Sequence, residues 1–549
     1  MTDLIQTKDK SYTSGEENLK YGLLLTVGTI LAVIPGVLLA PFSIHFFDEP
    51  YQILNAYDWT NSVYSPLSAF LGNIFGNLFS WKYLSFRYLM IILTSLSVYM
   101  TSLYAVVHSQ RKALLCIIGI FACYFSTVFK SDINIYGWDN WSALFTTAVI
   151  LLMVDLLHKF NYTKIIFIGI LSGITVLLRL PNLCIVFFCM VLMIFYYARS
   201  KPPRKILAIE SLYIFTAALT ILILTVCLYG SISGYLHVFK ENPIGAHSIN
   251  RIIKPLIVSV LSIIRFAIIM LMGYFAIFLG VKKTKKQWLK VIISIGVSLC
   301  LLILLFPLRR QVLGNVVEMA ISIAIISIIL LFIKAYRHKN YNMFLFSLTI
   351  FILGCVVLTG SNWGFFKFIA WPVIPLLLMK VSGYWTKSIK YYCLSIGAAY
   401  FIFSFICISR PTFFDGNLNE LNYRFSQGVL EGMYTTQQRG KFIDEVCKET
   451  STYKENGYEI FPLRNWNDYL WEYIYTHRNP YQRHNFDTND SFNQKEYVMS
   501  VQNRIETANT PILFLYMHQD SIPSRMYDML SKKTIKVKDG EEYSIFKTR

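Results

Sequence analysis

Residues 21–42 read YGLLLTVGTILAVIPGVLLAPF, and residues 43–55 read SIHFFDEPYQILN. The first stretch is apolar and, as a helix, is long enough to cross the roughly 30 Å hydrocarbon core of a membrane. The second stretch places Asp48 and Glu49 side by side just after that crossing. An ionised group at a membrane edge is costly unless it is solvated or paired, so this acid pair indicates a functional site. The same two acids could instead mark only the water-facing end of a helix.

The rest of the chain repeats this apolar pattern. Of its 549 residues, 55% are hydrophobic and only 15% are charged, which excludes an ordinary soluble globular domain. Each apolar run of about 17 to 25 residues is predicted to be a helix, because backbone groups in lipid must be hydrogen-bonded within their own segment. The short run at 368–380 could be re-entrant instead of spanning. We predict thirteen spans, at residues 21–42, 86–107, 113–129, 141–157, 164–180, 182–198, 207–230, 254–281, 289–307, 315–334, 343–359, 368–380 and 389–408.

The positions of the basic residues predict the orientation of the chain. Six connections that fall on alternate sides of the predicted path hold nineteen Lys and Arg and no Asp or Glu; they are residues 108–113, 158–164, 199–206, 282–290, 334–342 and 380–390. The positive-inside rule places these connections in the cytoplasm. The formal net charge of +19 is therefore a topology signal, and no nucleic-acid partner is predicted.

Composition divides the chain into three parts. Residues 1–20 form a polar amino-terminal tail, predicted to be cytoplasmic, which contains acids and no small-residue cleavage site and is interpreted as part of a retained signal anchor. Residues 21–408 form the transmembrane domain, with a long first outer loop at 43–85. Within that loop, residues 68–79 have helical apolar spacing and predict either a helix lying in the membrane interface or an ordinary surface loop.

Residues 409–549 are polar and of mixed charge, and we predict that they form a small extracytoplasmic α/β domain. Its expected helices lie near residues 426–450 and 466–475, and its expected strands near 457–461 and 511–516. A final hairpin is expected at 534–537 and 543–546. The overall fold class is thus an all-α polytopic membrane protein with a small α/β carboxy-terminal domain. Nine of the ten cysteines lie in or beside apolar runs, so neither a disulfide framework nor a structural zinc site is predicted.

Several other polar residues lie at predicted span ends. Asp139 opens the fourth span, where it could cap the helix or serve the site. Arg179 ends the fifth span before Pro181-Asn182, where it could reach lipid head groups or be held over a cavity. Lys367 could contact a phosphate. Arg265, Arg309 and Arg310 could do so as well, but they are explained better as head-group anchors. His237 and His247 lie in a later outer loop, and two isolated histidines are more often loop residues than metal ligands.

Taken in order, these features resemble the GT-C superfamily of membrane glycosyltransferases. The nearest group is the dolichyl- or polyprenyl-phosphate-sugar-dependent one, which includes protein mannosyltransferases and the lipid A aminoarabinose transferase. The resemblance is carried by the order and spacing of several short motifs over about the first 190 residues, and most of the chain agrees by topology. The matching features are Asp48-Glu49 with Tyr51, Ser65-Pro66-Leu67, Arg87 at the start of the second span, Asp139, and the segment from Gly173 to Arg179-Leu180-Pro181-Asn182.

The resemblance implies an inverting transfer of a hexosyl or pentosyl group from a polyprenyl phosphate to a hydroxyl acceptor at the outer face of the membrane. It implies Asp48 as the base on the acceptor hydroxyl, with Glu49, Tyr51 and Asp139 binding or orienting the acceptor. Basic groups would stabilise the departing phosphate, and the residues expected in that role are Arg87, Arg179 and Lys367.

The resemblance also sets the expected partners and location. The partners are a lipid-phosphate-linked sugar donor, a glycan, lipid or protein acceptor of the cell envelope, and membrane lipid. Some relatives use a divalent metal and others do not, so Asp48, Asp132 and Asp139 could bind one and no cofactor is certain. The expected location is the bacterial cytoplasmic membrane, as a multi-pass protein with a cytoplasmic amino terminus and the carboxy-terminal domain outside.

Two other classes of function stay open from the sequence. A transporter or flippase of lipid-linked saccharides would also be polytopic, but transporters are often built from internal repeats that meet near the middle of the membrane. No such repeat is evident here, and the acids gather towards the outer face. A membrane scaffold that binds a partner through its outer domain would leave the acidic first loop unexplained.

Overall fold

The computed structural model describes residues 15–45, 48–62, 64–107, 136–198, 201–241, 271–305, 415–463, 469–475, 491–518 and 524–548, together with positions 268, 333 and 395. The predicted spans at 113–129, 315–334, 343–359, 368–380 and 389–408 lie almost entirely outside these residues. The predicted total of thirteen spans therefore stays a prediction.

The membrane part is helical wherever the structure describes it. Its helices are α1 (Gly15–Leu39), α2 (Asp48–Tyr57), α3 (Pro66–Leu78), α4 (Tyr83–Val107), α5 (Trp138–His158), α6 (Tyr162–Leu178), α7 (Leu183–Tyr197), α8 (Pro203–Tyr229), α9 (Ile232–Glu241) and α10 (Gln287–Leu305). Residues 271–283 are also helical.

Within the described residues, five stretches are long and apolar enough to cross a membrane, and they are Gly22–Leu39, Tyr83–Thr101, Trp138–Leu157, Leu180–Tyr197 and Pro203–Tyr229. The α6 helix and the 287–300 part of α10 are apolar but shorter. Each falls within or close to a predicted span, because long apolar runs leave the backbone no alternative to a helix in lipid. The chain is an integral membrane protein with a mostly helical fold.

The first loop contains two helices, α2 and α3. The helix predicted from residue 68 begins at Pro66, whose fixed φ suits the first turn of a helix. At Gly72 an added Cβ would lie 2.1 Å from the hydroxyl of Tyr136 and 2.7 Å from Cβ of Ala56. This glycine therefore marks the place where α3 packs closely against α2 and the start of α5. The predicted position of α3 in the membrane interface stays a prediction.

The carboxy-terminal domain contains a two-stranded and a four-stranded sheet. Its strands are β1 (Tyr423–Arg424), β2 (Tyr434–Thr435), β3 (Glu459–Leu463), β4 (Ile512–Met517), β5 (Thr534–Asp539) and β6 (Tyr543–Thr548). The four-stranded sheet has the order β3-β4-β6-β5, in which β3 and β4 are parallel and the other neighbours are antiparallel. The helices are α11 (Gln437–Glu455), α12 (Leu470–Tyr475), α13 (Ser491–Thr507) and α14 (Ser524–Lys533).

The predicted hairpin of the last two strands is confirmed, and the other two predicted strands correspond to β3 and β4. The helix predicted from residue 426 was wrong over its first part. Gly428 and Gly432 adopt φ values of +76° and +84°, which an α-helix cannot accommodate. These residues turn the chain into β2, and α11 begins only at Gln437.

The carboxy-terminal domain packs directly against the first loop. Tyr434 forms an isolated parallel bridge with Phe42, and the two rings stack with centroids 4.8 Å apart. The amide of Tyr83 donates to the carbonyl of Val429 at 2.9 Å, and the hydroxyl of Tyr473 donates to the carbonyl of Trp81. The carboxy-terminal domain and the first loop therefore lie at the same end of the helical bundle.

Candidate active site

A buried ion pair lies where α2 meets the start of α4. The guanidinium of Arg87 donates three hydrogen bonds to the carboxylate of Glu49, at 3.0 to 3.2 Å. Glu49 is fully buried and Arg87 is 2% exposed. Hydrogen bonds between ionised groups in such a setting are stronger than neutral ones. The pair therefore fixes the first turn of α2, which begins at Asp48.

Arg87 also holds the α1–α2 linker, which we define as residues 40–45. Its Nη1 donates to the carbonyls of Ala40 and Phe42, at 2.8 and 2.9 Å. The guanidinium further lies 5.1 Å from the ring centre of Tyr83. Most of its donors are thus used by the protein itself. The donor-phosphate role predicted for Arg87 stays a prediction. In the structure, Arg87 holds α2 and the linker in place.

Two tyrosines, Tyr83 and Tyr473, lie around the Glu49–Arg87 pair. The hydroxyl of Tyr83 accepts from the amide of His45 and donates to its carbonyl, both at 3.0 Å. Burial raises the pKa of the Tyr473 hydroxyl well above its usual value, and the negative charge of Glu49 raises it further. The tyrosine of the carboxy-terminal domain is therefore neutral and within electrostatic reach of the Glu49 carboxylate.

A second ion pair lies between the start of α5 and the end of α6. Oδ1 of Asp139 is 2.9 Å from Nη1 of Arg179, although the pair lacks hydrogen-bond alignment. The Arg179 side chain is 9% exposed and that of Asp139 is 28% exposed. The acid of this pair is therefore partly accessible, whereas the guanidinium is nearly buried.

Asp139 does not cap its helix, contrary to one of the two sequence interpretations. The side chain of Asn140 accepts from the amide of Gly137 at 2.8 Å and fixes that end, and Asp139 lies in the first turn. An acid there is favoured by the helix dipole. The Asp139 side chain is directed to Arg179 instead. Residue preferences at helix starts do not predict such a long-range contact.

Contacts between the first loop and the helix ends bring the two ion pairs to one end of the bundle. Tyr51 lies edge-on to Trp138, with ring centres 6.2 Å apart, and Gln52 packs against Gly137. The amide of Leu180 donates to the carbonyl of Tyr64 at 2.9 Å. The α2 helix therefore lies over the start of α5, and Tyr64 and Ser68 of the loop lie beside Leu178 and Leu180, which flank Arg179.

Of the seven predicted site residues, five have described side chains at this end: Glu49, Tyr51, Arg87, Asp139 and Arg179. For Asp48 the structure describes the backbone, as the first residue of α2, and its carboxylate lies outside the described part. Lys367, Asp132 and His247 also lie outside it. His237 is on α9, where it lines a cavity of about 440 Å³ with Ser233, Leu236 and Lys240.

The described residues do not form a divalent-metal site. Among them, no group of three or more His, Cys, Asp and Glu side chains is close enough to hold an ion. Glu49 and Asp139 each face an arginine, and a guanidinium beside a carboxylate opposes the approach of a cation. The possible metal ligands Asp48 and Asp132 are not tested by this geometry.

Several solved structures are similar to this chain. No family model and no curated protein matches the sequence. The chain is similar to ArnT from Cupriavidus metallidurans bound to undecaprenyl phosphate, with a TM-score of 0.42 and 10% identity over 95% of this chain and 98% of that chain. It is also similar to the Archaeoglobus fulgidus oligosaccharyltransferase in complex with Zn and sulfate, with a TM-score of 0.47 and 12% identity over 89% of this chain and 68% of that chain. Each is a likeness of fold at low sequence identity.

Proposed function

We propose that this protein is an inverting glycosyltransferase that moves a sugar from a polyprenyl-phosphate donor to a hydroxyl acceptor at the outer face of the membrane. The observation that carries the proposal is the grouping of Glu49–Arg87 and Asp139–Arg179 at one end of the bundle, around the α2 helix that begins with Asp48. These are the residues that the family resemblance selects. A scaffold would have no need of two arginine–carboxylate pairs beside one acidic helix.

In the proposed reaction Asp48 accepts the proton of the acceptor hydroxyl as its oxygen bonds to the anomeric carbon. The bond from that carbon to the phosphate oxygen breaks on the opposite side, so the configuration inverts. The polyprenyl phosphate leaves with the electron pair of the broken bond. No general acid is required, because the polyprenyl phosphate monoester leaves without protonation, unlike the alcohol released in glycoside hydrolysis.

Arg179 is proposed to contact the leaving phosphate. It is held beside Asp139 at 2.9 Å and is nearly buried, and a fixed cation in a water-poor site stabilises developing negative charge more than a solvated one does. Asp139 keeps the guanidinium in place through Oδ1, and its exposed part is proposed to contact the acceptor. Lys367 is proposed as a second phosphate contact on the family resemblance alone.

Glu49 and Arg87 are proposed to position the base. Their buried pair fixes the start of α2, one residue from Asp48. Small displacements of a catalytic group reduce rates strongly, so a rigid support is expected there. Tyr51, half-buried between Trp138 and Tyr469, is proposed to contact the acceptor through its exposed part.

The test is reconstitution of the full chain in proteoliposomes with polyprenyl-phosphate sugars, each carrying a labelled hexose or pentose, and a cell-envelope extract as acceptor source. We expect label to move from the lipid fraction to an acceptor in the presence of the protein and not in empty vesicles. The product should have the opposite anomeric configuration to the donor, as measured by NMR.

The same vesicles separate this proposal from transport. A flippase would carry the intact donor from one leaflet to the other without breaking the glycosyl bond. Donor translocation without any transfer, for every sugar tried, would contradict the glycosyltransferase proposal and favour the transport alternative. Transfer with retained configuration would contradict the inverting mechanism.

A further inference from the structure

The α1–α2 linker is held from two sides by residues far apart in the sequence. On one side Arg87 and Tyr83 of α4 bind the carbonyls of Ala40 and Phe42 and both backbone groups of His45. On the other side the carboxy-terminal domain provides the partners. The linker ends three residues before Asp48, so whatever fixes the linker also limits where α2 begins.

The contacts from the carboxy-terminal domain centre on Asp415 and Tyr434. The amide of Tyr434 donates to the carbonyl of Pro41 at 2.7 Å, and its carbonyl accepts from the amide of Ser43 at 2.8 Å. Oδ2 of Asp415 accepts from the amide of Ile44 at 3.0 Å. The linker is thus hydrogen-bonded to the carboxy-terminal domain at three residues, Pro41, Ser43 and Ile44.

Asp415 joins the linker to α11 through its second oxygen. Oδ1 accepts from the hydroxyl of Thr435 at 2.8 Å and from Nη1 of Arg439 at 2.5 Å. The side chain of Asp415 is fully buried, whereas that of Arg439 is 29% exposed. A buried carboxylate whose two oxygens serve two different segments fixes their relative position, because neither contact can move without leaving a buried charge short of a partner.

The backbone of the linker is strained where these contacts meet. Ser43 has a φ of +69°, a left-handed conformation that is unfavourable for a residue with a side chain. Ser43 is fully buried. Such a conformation persists where the surroundings determine it, and it is commonly found near functional sites. Here the determining contacts come from the carboxy-terminal domain on one side and from α4 on the other.

We infer that Asp415 is a positioning residue for the site. By accepting a hydrogen bond from the Ile44 amide, Asp415 fixes the linker to the carboxy-terminal domain. The start of α2 is thereby held in the arrangement used for transfer. This inference rests on the proposed function for its kinetic part. Its structural part, a linker ordered by the carboxy-terminal domain, is independent of the reaction.

The test compares Asp415→Asn with Glu459→Gln in the full chain in lipid nanodiscs. An asparagine has only one acceptor oxygen, so it cannot serve both Ile44 and the Thr435–Arg439 side. Glu459 is a matched control because its ion pair with Arg504 lies within the carboxy-terminal domain and no described contact joins it to the linker. Where Asp415→Asn fails to fold, Arg439→Gln removes one partner of the carboxylate and leaves Asp415 in place.

Hydrogen–deuterium exchange of the linker is the first readout. We expect the Ser43–Ile44 amides to exchange about tenfold faster in Asp415→Asn, by a smaller factor in Arg439→Gln, and at the wild-type rate in Glu459→Gln. Peptides that cover β3 and β4 should be unchanged in all three. Unchanged linker exchange, or an equal rise throughout the carboxy-terminal domain, would overturn the inference.

Transfer kinetics are the second readout. We expect kcat of Asp415→Asn to fall about tenfold, with the KM values for donor and acceptor within about twofold of wild type. Faster linker exchange with an unchanged kcat would overturn the positioning role. If the wild type transfers no sugar, the proposed function fails by itself, and the exchange measurement still decides whether Asp415 orders the linker.

Discussion

Removal of either member of the Glu49–Arg87 pair should loosen α2. In Glu49→Leu the guanidinium of Arg87 loses three of its five hydrogen bonds and stays as a buried cation. Breaking a buried ion pair in this way costs about 3–5 kcal/mol. Because about 1.4 kcal/mol corresponds to a factor of ten, opening of α2 should become more frequent by a factor of roughly 10² to 4 × 10³.

Comparison of three variants identifies the source of this effect. Arg87→Met should be the most damaging, because it leaves the Glu49 carboxylate unpaired and removes the donors of the Ala40 and Phe42 carbonyls. The double variant Glu49→Leu with Arg87→Met removes both charges and should be less damaging than Arg87→Met alone. Its remaining cost is that of the two carbonyls, about 1–3 kcal/mol each.

The assay is hydrogen–deuterium exchange of the α2 amides in nanodiscs. Glu431→Gln is the control, because it breaks an exposed ion pair with Lys82 at the start of α4. Exposed pairs contribute about 0–1 kcal/mol, so this variant should change exchange by no more than about fivefold. If Glu49→Leu behaved like Glu431→Gln, or if the double variant were as labile as Arg87→Met, the buried pair would not be what holds α2.

Two further predictions concern packing and donor binding. Gly72→Ala should lower the melting temperature, because its Cβ would lie 2.1 Å from the Tyr136 hydroxyl and overpacking costs about 1–3 kcal/mol. Gly22→Ala is the control and should not lower it, because nothing lies within 4 Å of an added Cβ at Gly22. Thermal unfolding followed by size-exclusion chromatography compares the two variants, and equal melting temperatures would contradict the close packing of α3. Arg179→Gln should raise the KM for the donor by about tenfold or more, and Arg179→Lys by less, because a lysine keeps the charge but not the planar geometry. Initial rates over a range of donor concentrations measure this, and an unchanged KM in Arg179→Gln would remove Arg179 from donor binding.

The sequence predicts the membrane helices well where the structure describes them. Runs such as 21–42 and 207–230 are apolar throughout, so the hydropathy of each run alone indicates a helix. The final hairpin was also predictable, because Asp539-Gly540 is a strong turn signal between two alternating strands. The membrane helices and the hairpin both depend on residues that are close together in the sequence.

The partners of the site residues could not be predicted in the same way. Glu49 and Arg87 are 38 residues apart, and Asp415 is 371 residues from Ile44, so their contacts depend on tertiary packing that one sequence does not encode in a local pattern. One signal was available for Arg87. An arginine in the second turn of a long apolar helix requires a buried partner, and the nearest acids are those of the first loop.

The central claim is that Asp48 accepts the proton of the acceptor hydroxyl. It is tested most directly by the transfer rate of Asp48→Asn at saturating donor, with Asp58→Asn as the control. Asp58 is in the same loop, and both of its carboxylate oxygens accept from Asn61. We predict a rate about 10²- to 10⁴-fold lower for Asp48→Asn, the usual contribution of a general base, with wild-type expression and a wild-type rate for Asp58→Asn. A rate for Asp48→Asn within about twofold of wild type would contradict the mechanism.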